Sequence, residues 1–387
     1  MTSVGRPAEF DDIRPYDDSE VAAVLPQLIA DNELVDVLIG SKLPWLPRSC
    51  FAALRPWVRV KLRKVSAQMD SIEDFHRYFM QLFMPLLEKS SDGLSFSGFE
   101  QLGTAPGVLI SNHRDIALDP LLVWLGLASV GRPPVRIAIG DNLVSKPYVG
   151  HLMRLSRTFL VRRGISGRRE KLDALKRLSA YIRYSISSEQ QSVWIAQREG
   201  RAKDGDDWTE TALLKMLALS APKQSELDAA LAPLNLQPIA LSYEWDPCDI
   251  DKARELACAA RGEIYQKRPD EDVETIYKGL FGYKGRIHVA VTPAVALASD
   301  ASTLAANIDR AVHVNFKLFP SHLTAWRHLN PHDEENWASL RALYPHCDWP
   351  QVSAQFAQRL DGQPSAIAAQ VWAAYAKPVS NALLARP

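Results

Sequence analysis

Apolar and polar positions repeat along this chain with two different periods. From Ser19 to about Gly40, apolar residues recur at helical spacing, at Val21, Val24, Leu25, Leu28, Leu34, Val35 and Leu38. Residues 47–66 predict a second helix, broken near Pro56. Residues 70–89 predict a third, with Ile72, Phe75, Phe79, Leu82, Phe83 and Leu86 on one side. Residues 1–15 carry no such period and predict an extended arm. Beyond residue 100 the pattern changes. Short apolar runs at 107–111, 135–139, 158–161, 192–196, 238–243 and 287–291 alternate with stretches that suit helices, at 120–130, 144–155, 167–187, 208–220 and 251–267. That alternation predicts an α/β fold with a mixed, mainly parallel sheet flanked by helices. Residues 301–387 read as helical, without a convincing strand. The expected organisation is a helical N-terminal region (1–95), an α/β domain (96–298) and a helical C-terminal region (299–387). No Gly/Ser- or Pro-rich linker isolates either end, so both ends are expected to pack on the core.

Composition bounds this picture without changing it. With 387 residues, 47% of them apolar and 23% charged, the chain suits a soluble globular protein of one or two domains. The 45 basic and 45 acidic residues cancel, so no global field points to nucleic acid. The charge is uneven, however. Residues 1–36 hold nine acidic and two basic residues, and residues 154–177 hold nine basic and two acidic. Residues 37–69 hold no acid but carry Lys42, Arg48, Arg55, Arg59, Lys61, Arg63 and Lys64. Within that stretch, segment 43–66 interleaves Trp45, Phe51, Leu54, Trp57, Val58 and Leu62 with the bases, interrupted by Pro44, Pro47 and Pro56. Aromatics with Lys and Arg compose an interfacial segment facing anionic lipid, and equally a core helix with a basic outer face. Cys50, Cys248, Cys258 and Cys347 are scattered, which fits reduced thiols and excludes a zinc-like cluster. No secretory signal and no spanning apolar run is visible. The expected location is therefore cytoplasmic, peripheral to the inner face of the plasma membrane.

The chemistry gathers where the short apolar runs end. The run Val108–Ser111 ends in Asn112-His113, and Asp119-Pro120 follows. A histidine at the end of a buried strand has a fixed backbone and an open side, as a general base requires. Asp119 can hold the ring and stabilise the imidazolium. The same Asp-Pro pair also suits a helix start, with Asp as N-cap and Pro as first helical residue. No serine or cysteine stands at a telling spacing, so the substrate would bring its own hydroxyl. The run Thr158–Val161 delivers Arg162 and Arg163, forked donors suited to phosphate or, alternatively, a solvated basic turn. The run Val193–Ala196 is followed by Glu199, Gly200 and Arg201. There Gly200 would allow close backbone approach and Glu199 would orient a hydroxyl or an arginine. A Pro-led strand, 238–243, would wall the site.

These blocks, in this order, resemble the glycerolipid acyltransferase family over roughly residues 90–250. Asn112, His113 and Asp119 match its Asn-His…Asp block. Phe159 and Arg162 match the second block, Glu199, Gly200 and Arg201 the third, and the strand from Pro238 the fourth. Two departures stand out. Five residues separate His113 from Asp119 where the family has four, so Asp115 is a rival partner. On an ideal helix neither aspartate shares the histidine's face, since offsets of two and six residues rotate it by roughly 200° and 240°. Asp119 is preferred because Pro120 and the apolar helix after it align with the family. The third block also lacks the family's Phe-Pro before Glu-Gly and its Thr after.

The resemblance implies acyl transfer from acyl-CoA or acyl carrier protein to a lysophospholipid-type acceptor, most simply 1-acylglycerol-3-phosphate, in phospholipid biosynthesis. It implies His113 as base and Asp119 as its partner, without metal or other cofactor. Asn112, Arg162, Arg163, Glu199, Gly200 and Arg201 would bind substrate, the arginines at the acceptor's phosphate. A different lipid acceptor, a hydrolase, and a non-catalytic lipid- or acyl-CoA-binding scaffold are the alternatives.

Overall fold

The computed structural model describes residues 7–43, 45–144, 146–268 and 271–386, with the backbone alone at Val273. Residues 1–6 of the expected arm, Pro44 of the expected interfacial segment and Ser145 of the expected helix 144–155 lie outside the described residues. The chain forms two compact units. One comprises Met1–Met84 and Arg136–Tyr181, the other Pro85–Val135 and Ile182–Pro387. The described strands are β1 (Leu94–Ser97), β2 (Val108–Ser111), β3 (Arg136–Gly140), β4 (Thr158–Val161), β5 (Val193–Ala196), β6 (Gln237–Tyr243) and β7 (Ile287–Val291).

The larger unit holds a sheet in the order β1-β7-β6-β2-β5. The pairs β1–β7, β2–β6 and β2–β5 are parallel and β6–β7 is antiparallel, so the expected mixed, mainly parallel sheet is present. Every residue of β2 is buried, as a strand covered on both faces requires. β1 instead alternates half-buried and exposed positions at the sheet edge, which is why its Leu-Ser-Phe-Ser sequence gives no continuous apolar run. Ser111 pairs with Ala196 of β5 and Ile239 of β6. Because β2, β5 and β6 run parallel, the residues that follow β2 and β5 emerge at one edge. β6 continues past Ile239 to Tyr243, so Leu241 and Tyr243 flank the segment after β2.

The helices Ala301–Asn315, Pro320–Leu329, Glu334–Arg341, Trp349–Leu360 and Ser365–Ala385 complete this unit. Their core joins Leu323, Trp326, Leu340, Phe356 and Val371 to Trp245, just beyond β6. A polar seam ties the last helix to the sheet's loops. The Tyr375 hydroxyl donates to Asp249 at 2.9 Å and accepts the Asp246 N–H at 2.8 Å. Asn381 donates to Asp206 at 2.9 Å. Gly205 has φ +74°, and a Cβ there would lie 1.9 Å from the Ala374 carbonyl oxygen, so glycine permits this closeness.

The smaller unit pairs β3 and β4 in parallel. Its helices include Asp18–Ala30, Asn32–Lys42, Phe51–Ser66 and Pro147–Leu155. The single helix expected from Ser19 to Gly40 is two. Asp31 ends the first and its carboxylate caps the second by accepting the Leu34 N–H at 2.9 Å. Pro56 does not break its helix, which runs from Phe51 to Ser66 with the proline inside. A helix at Glu271–Phe281 was not expected from the periodicity.

Candidate active site

Asn112 follows β2 and continues its pairing with a side chain. Its amide donates to the Leu241 carbonyl at 2.9 Å and its oxygen accepts the Leu241 N–H at 2.8 Å. The carboxamide thus stands in for a peptide group against β6, which only Asn or Gln can do. The same amide nitrogen donates to Asp207 at 3.1 Å. This pins the backbone immediately before His113.

The chain then leaves the sheet in an irregular turn, and the helix Leu118–Ser129 begins. That turn settles which aspartate holds the histidine. His113 Nδ1 lies 2.8 Å from Asp119 Oδ2. The same oxygen accepts the backbone N–H groups of Arg114 at 2.6 Å and Asp115 at 3.0 Å. Asp119 Oδ1 accepts the Tyr243 hydroxyl at 2.6 Å. Asp119 is fully buried, while the His113 side chain is 15% exposed. Asp115, the rival, accepts the Ala117 and Leu118 N–H groups at 3.0 and 2.8 Å and so caps the helix. Burial, and then the Asp119 charge, push the Asp115 carboxyl up. The helix-start reading of Asp119-Pro120 is corrected accordingly: the N-cap position is Ala117 and Asp119 lies inside the first turn. There its carboxylate also meets the positive end of the helix.

Tyr243 was expected only as part of a wall. Burial, and then the Asp119 and Asp115 charges, raise its hydroxyl well above the usual tyrosine range, so it stays protonated and donates. The sequence signal was a buried strand ending in tyrosine, since a buried phenol needs a polar partner. On the other side of His113, the Trp194 ring meets the imidazole edge-on at 5.7 Å, and its indole N–H donates to Ser111 Oγ at 3.0 Å. Ser111 in turn donates to the Asn112 carbonyl, which leaves its hydroxyl engaged. Among the described residues His113 Nε2 has no protein partner, so the ring presents that nitrogen outward.

The loop after β5 is stitched to the same edge. Gln197 N–H donates to the Ser111 carbonyl and Ala202 N–H to the His113 carbonyl, both at 2.8 Å. Arg114 pairs with the buried Asp207 at 2.5 Å. Glu199 and Gly200 are exposed between these stitches. Gly200 has φ +77°, a turn conformation that favours glycine, and no protein atom lies near its missing Cβ. Arg201 is half-buried, and one of its terminal nitrogens is buried without a hydrogen-bond partner. Arg114, Tyr243, Lys252, Phe316 and Tyr375 are among the residues that line a small cavity of about 40 Å³ nearby.

The structure thus brings Asn112, His113 and Asp119 together and adds Tyr243, Trp194 and Asp207. Arg162 and Arg163 belong to the smaller unit. Arg162 ion-pairs there with Asp12, and the Arg163 N–H donates to Asp141 at 3.1 Å. Among the described residues, no group of three or more His, Cys, Asp or Glu side chains is arranged to hold a metal ion.

Residues 93–234 match the family model described as acyltransferase. No curated protein matches the chain in sequence. Among solved structures, the chain is similar to the 1-acyl-sn-glycerophosphate (LPA) acyltransferase PlsC from Thermotoga maritima, with 13% identity over 76% of this chain and 94% of that one, at a TM-score of 0.38. The family match spans β2, the His113–Asp119 pair and the loop after β5, and it stops before β6 and Tyr243. Over this segment the chain is similar to the acyltransferase family.

Proposed function

We propose that the chain moves a fatty acyl group from a thioester donor, acyl-CoA or acyl carrier protein, to the hydroxyl of a lysophospholipid-type acceptor, with 1-acylglycerol-3-phosphate the first candidate. The observation that carries this reading is His113 held at Nδ1 by a buried carboxylate that accepts three further donors, with Nε2 turned outward. That nitrogen takes the acceptor's hydroxyl proton as the oxygen attacks the thioester carbonyl. The C–S bond breaks as the tetrahedral intermediate collapses, and the imidazolium returns the proton to the leaving thiolate. Asp119 keeps the Nδ1–H tautomer in place and stabilises the charged ring. Arg201 is the proposed cationic contact for the acceptor's phosphate, with Glu199 and Gly200 shaping the loop beside it.

Thiol release from palmitoyl-CoA with and without 1-acylglycerol-3-phosphate tests the reaction class. Release that depends on acceptor is expected. Release independent of acceptor would make the protein a thioesterase, and none with either acyl-CoA or acyl carrier protein donors would leave a binding scaffold.

Membrane contact is proposed through the helix Phe51–Ser66. Phe51, Leu54, Val58 and Leu62 turn inward against Val35 and Ile39. Trp57, Val60, Lys61 and Lys64 share a second, exposed face at helical spacing, with Trp57 67% and Val60 50% exposed. No described helix is long and apolar enough to cross a membrane. The full chain is expected to co-sediment with vesicles containing phosphatidylglycerol. Replacing Trp57 by Ser together with Lys61 and Lys64 by Gln should weaken this about tenfold or more, since each lysine near an anionic surface contributes about 1 kcal/mol. Unchanged sedimentation would remove this face as the contact.

A further inference from the structure

Lys252 is 3% exposed and lies near the start of the helix Asp249–Ala260. A cation there faces the positive end of the helix, and a buried ammonium must be paired and hydrogen-bonded to be tolerated. Two acceptors meet it. Its Nζ donates to Asp246 Oδ2 at 2.5 Å and to the Arg114 backbone carbonyl at 2.7 Å. Asp246 is itself fixed. Its Oδ1 accepts the Cys248 N–H at 2.8 Å, and its own N–H donates to the Tyr375 hydroxyl of the last helix. Burial would raise the Asp246 carboxyl, but the Lys252 charge and hydrogen bond outweigh it and hold the carboxyl below the usual range. All of these residues belong to the larger unit, and Asp246, Lys252 and Tyr375 lie beyond the segment that matches the family model.

The Arg114 carbonyl belongs to the peptide group that carries the Asp115 N–H. A trans peptide is planar, so its carbonyl and N–H point in opposite directions, and fixing one aims the other. That N–H donates to Asp119 Oδ2 at 3.0 Å, the oxygen that lies 2.8 Å from His113 Nδ1. The preceding peptide is held in the same way. The His113 carbonyl accepts the Ala202 N–H, and the Arg114 N–H donates to Asp119 Oδ2. One oxygen of Asp119 is thus located by two successive peptide groups, each gripped from behind. The grip on the second is a full positive charge, which polarises the peptide and strengthens its N–H as a donor. A hydrogen-bonded chain therefore runs from Lys252 through the 114–115 peptide and Asp119 to His113.

We propose that Lys252 is a positioning residue for this site: its ammonium sets the 114–115 peptide, and through it the Asp119 oxygen that fixes the His113 tautomer. Lys252 acts through Asp119 rather than on a substrate. The role of His113 as a base rests on the acyl transfer proposed above; its tautomer does not.

Long-range proton–nitrogen spectra of the full chain with isotope-labelled histidine read that tautomer directly, the His113 signal being identified by its loss in His113→Gln. In wild type the neutral ring is expected as the Nδ1–H form alone. Lys252→Met keeps the reach of the side chain but removes its charge and donors, and should mix in the Nε2–H form. It should also lower the kcat of acceptor-dependent thiol release about ten- to hundredfold with acceptor KM nearly unchanged, the range carried by a hydrogen bond to a charged group. Because Lys252→Met leaves Asp246 without its cation, a double variant with Asp246→Asn removes both charges and is expected to melt close to wild type. A positioning role requires that the mixed tautomer and the low kcat persist in this double variant. A pure Nδ1–H ring in Lys252→Met, a mixed ring already in wild type, or recovery of the tautomer along with the melt in the double variant would each overturn the proposal. A tautomer shift in Lys252→Met in a chain whose wild type releases no thiol leaves the positioning standing and removes the acyltransferase.

Discussion

Replacing His113 by alanine is expected to lower acceptor-dependent thiol release by about 10²–10⁴-fold, the range that a positioned general base supplies. The loss should fall on kcat, because the proton moves only as the acceptor oxygen attacks, and an interaction made only in the transition state leaves KM nearly unchanged. The fold should survive. Asp119 keeps three of its four donors, the Arg114 and Asp115 N–H groups and the Tyr243 hydroxyl. Trp194 loses one edge-on ring contact, about 0.5–1.5 kcal/mol. A thermal melt alongside the rate assay therefore distinguishes loss of the base from loss of structure. A variant with full activity would remove His113 from the chemistry, whatever the geometry around it.

How much of this site could be read beforehand depends on which forces placed each residue. The β2 run was legible because a strand covered on both faces must be apolar throughout, and Asn112-His113 was legible because the run ends there. β1 was missed because half its side chains face solvent, which leaves four residues with no continuous apolar signal. The split at Asp31 was hidden because apolar spacing continues across it, while the break is made by one carboxylate capping the next helix. Spacing alone does not lead to the His113–Asp119 pairing. Helical offsets place neither aspartate beside the ring, and only the irregular turn at 113–117 brings Asp119 back. Tyr243 lay furthest from view. It reaches Asp119 across 124 positions in sequence, and only because β6 overruns the Ser111–Ile239 register. Local pattern carries no information about that register. Asp207 is similar, since its contacts to Asn112 and Arg114 arise only when the loop after β5 closes over β2.

Substituting Asp119 by asparagine is expected to lower kcat by a similar order, about 10²–10⁴-fold, while costing far less stability than alanine at the same position. Asparagine can keep its oxygen toward His113, Arg114 and Asp115 and turn its amide to Tyr243, whose hydroxyl then rotates to accept. The hydrogen bonds persist, but the negative charge is gone. An imidazolium that forms as His113 takes the proton then faces a neutral amide in a buried site, where an uncompensated charge is most expensive. Alanine instead strands the Tyr243 hydroxyl and two backbone N–H groups with no acceptor. At about 1–3 kcal/mol for each unsatisfied buried donor, partly relieved by entering water, the loss should reach about 3 kcal/mol or more. Denaturant unfolding should therefore rank wild type and asparagine close together with alanine well below, while thiol release groups both variants far below wild type. If asparagine retained wild-type kcat, the carboxylate's charge would play no part in the reaction and Asp119 would only shape the turn. If alanine unfolded no more readily than asparagine, the four hydrogen bonds to this carboxylate would not be holding the strand end in place.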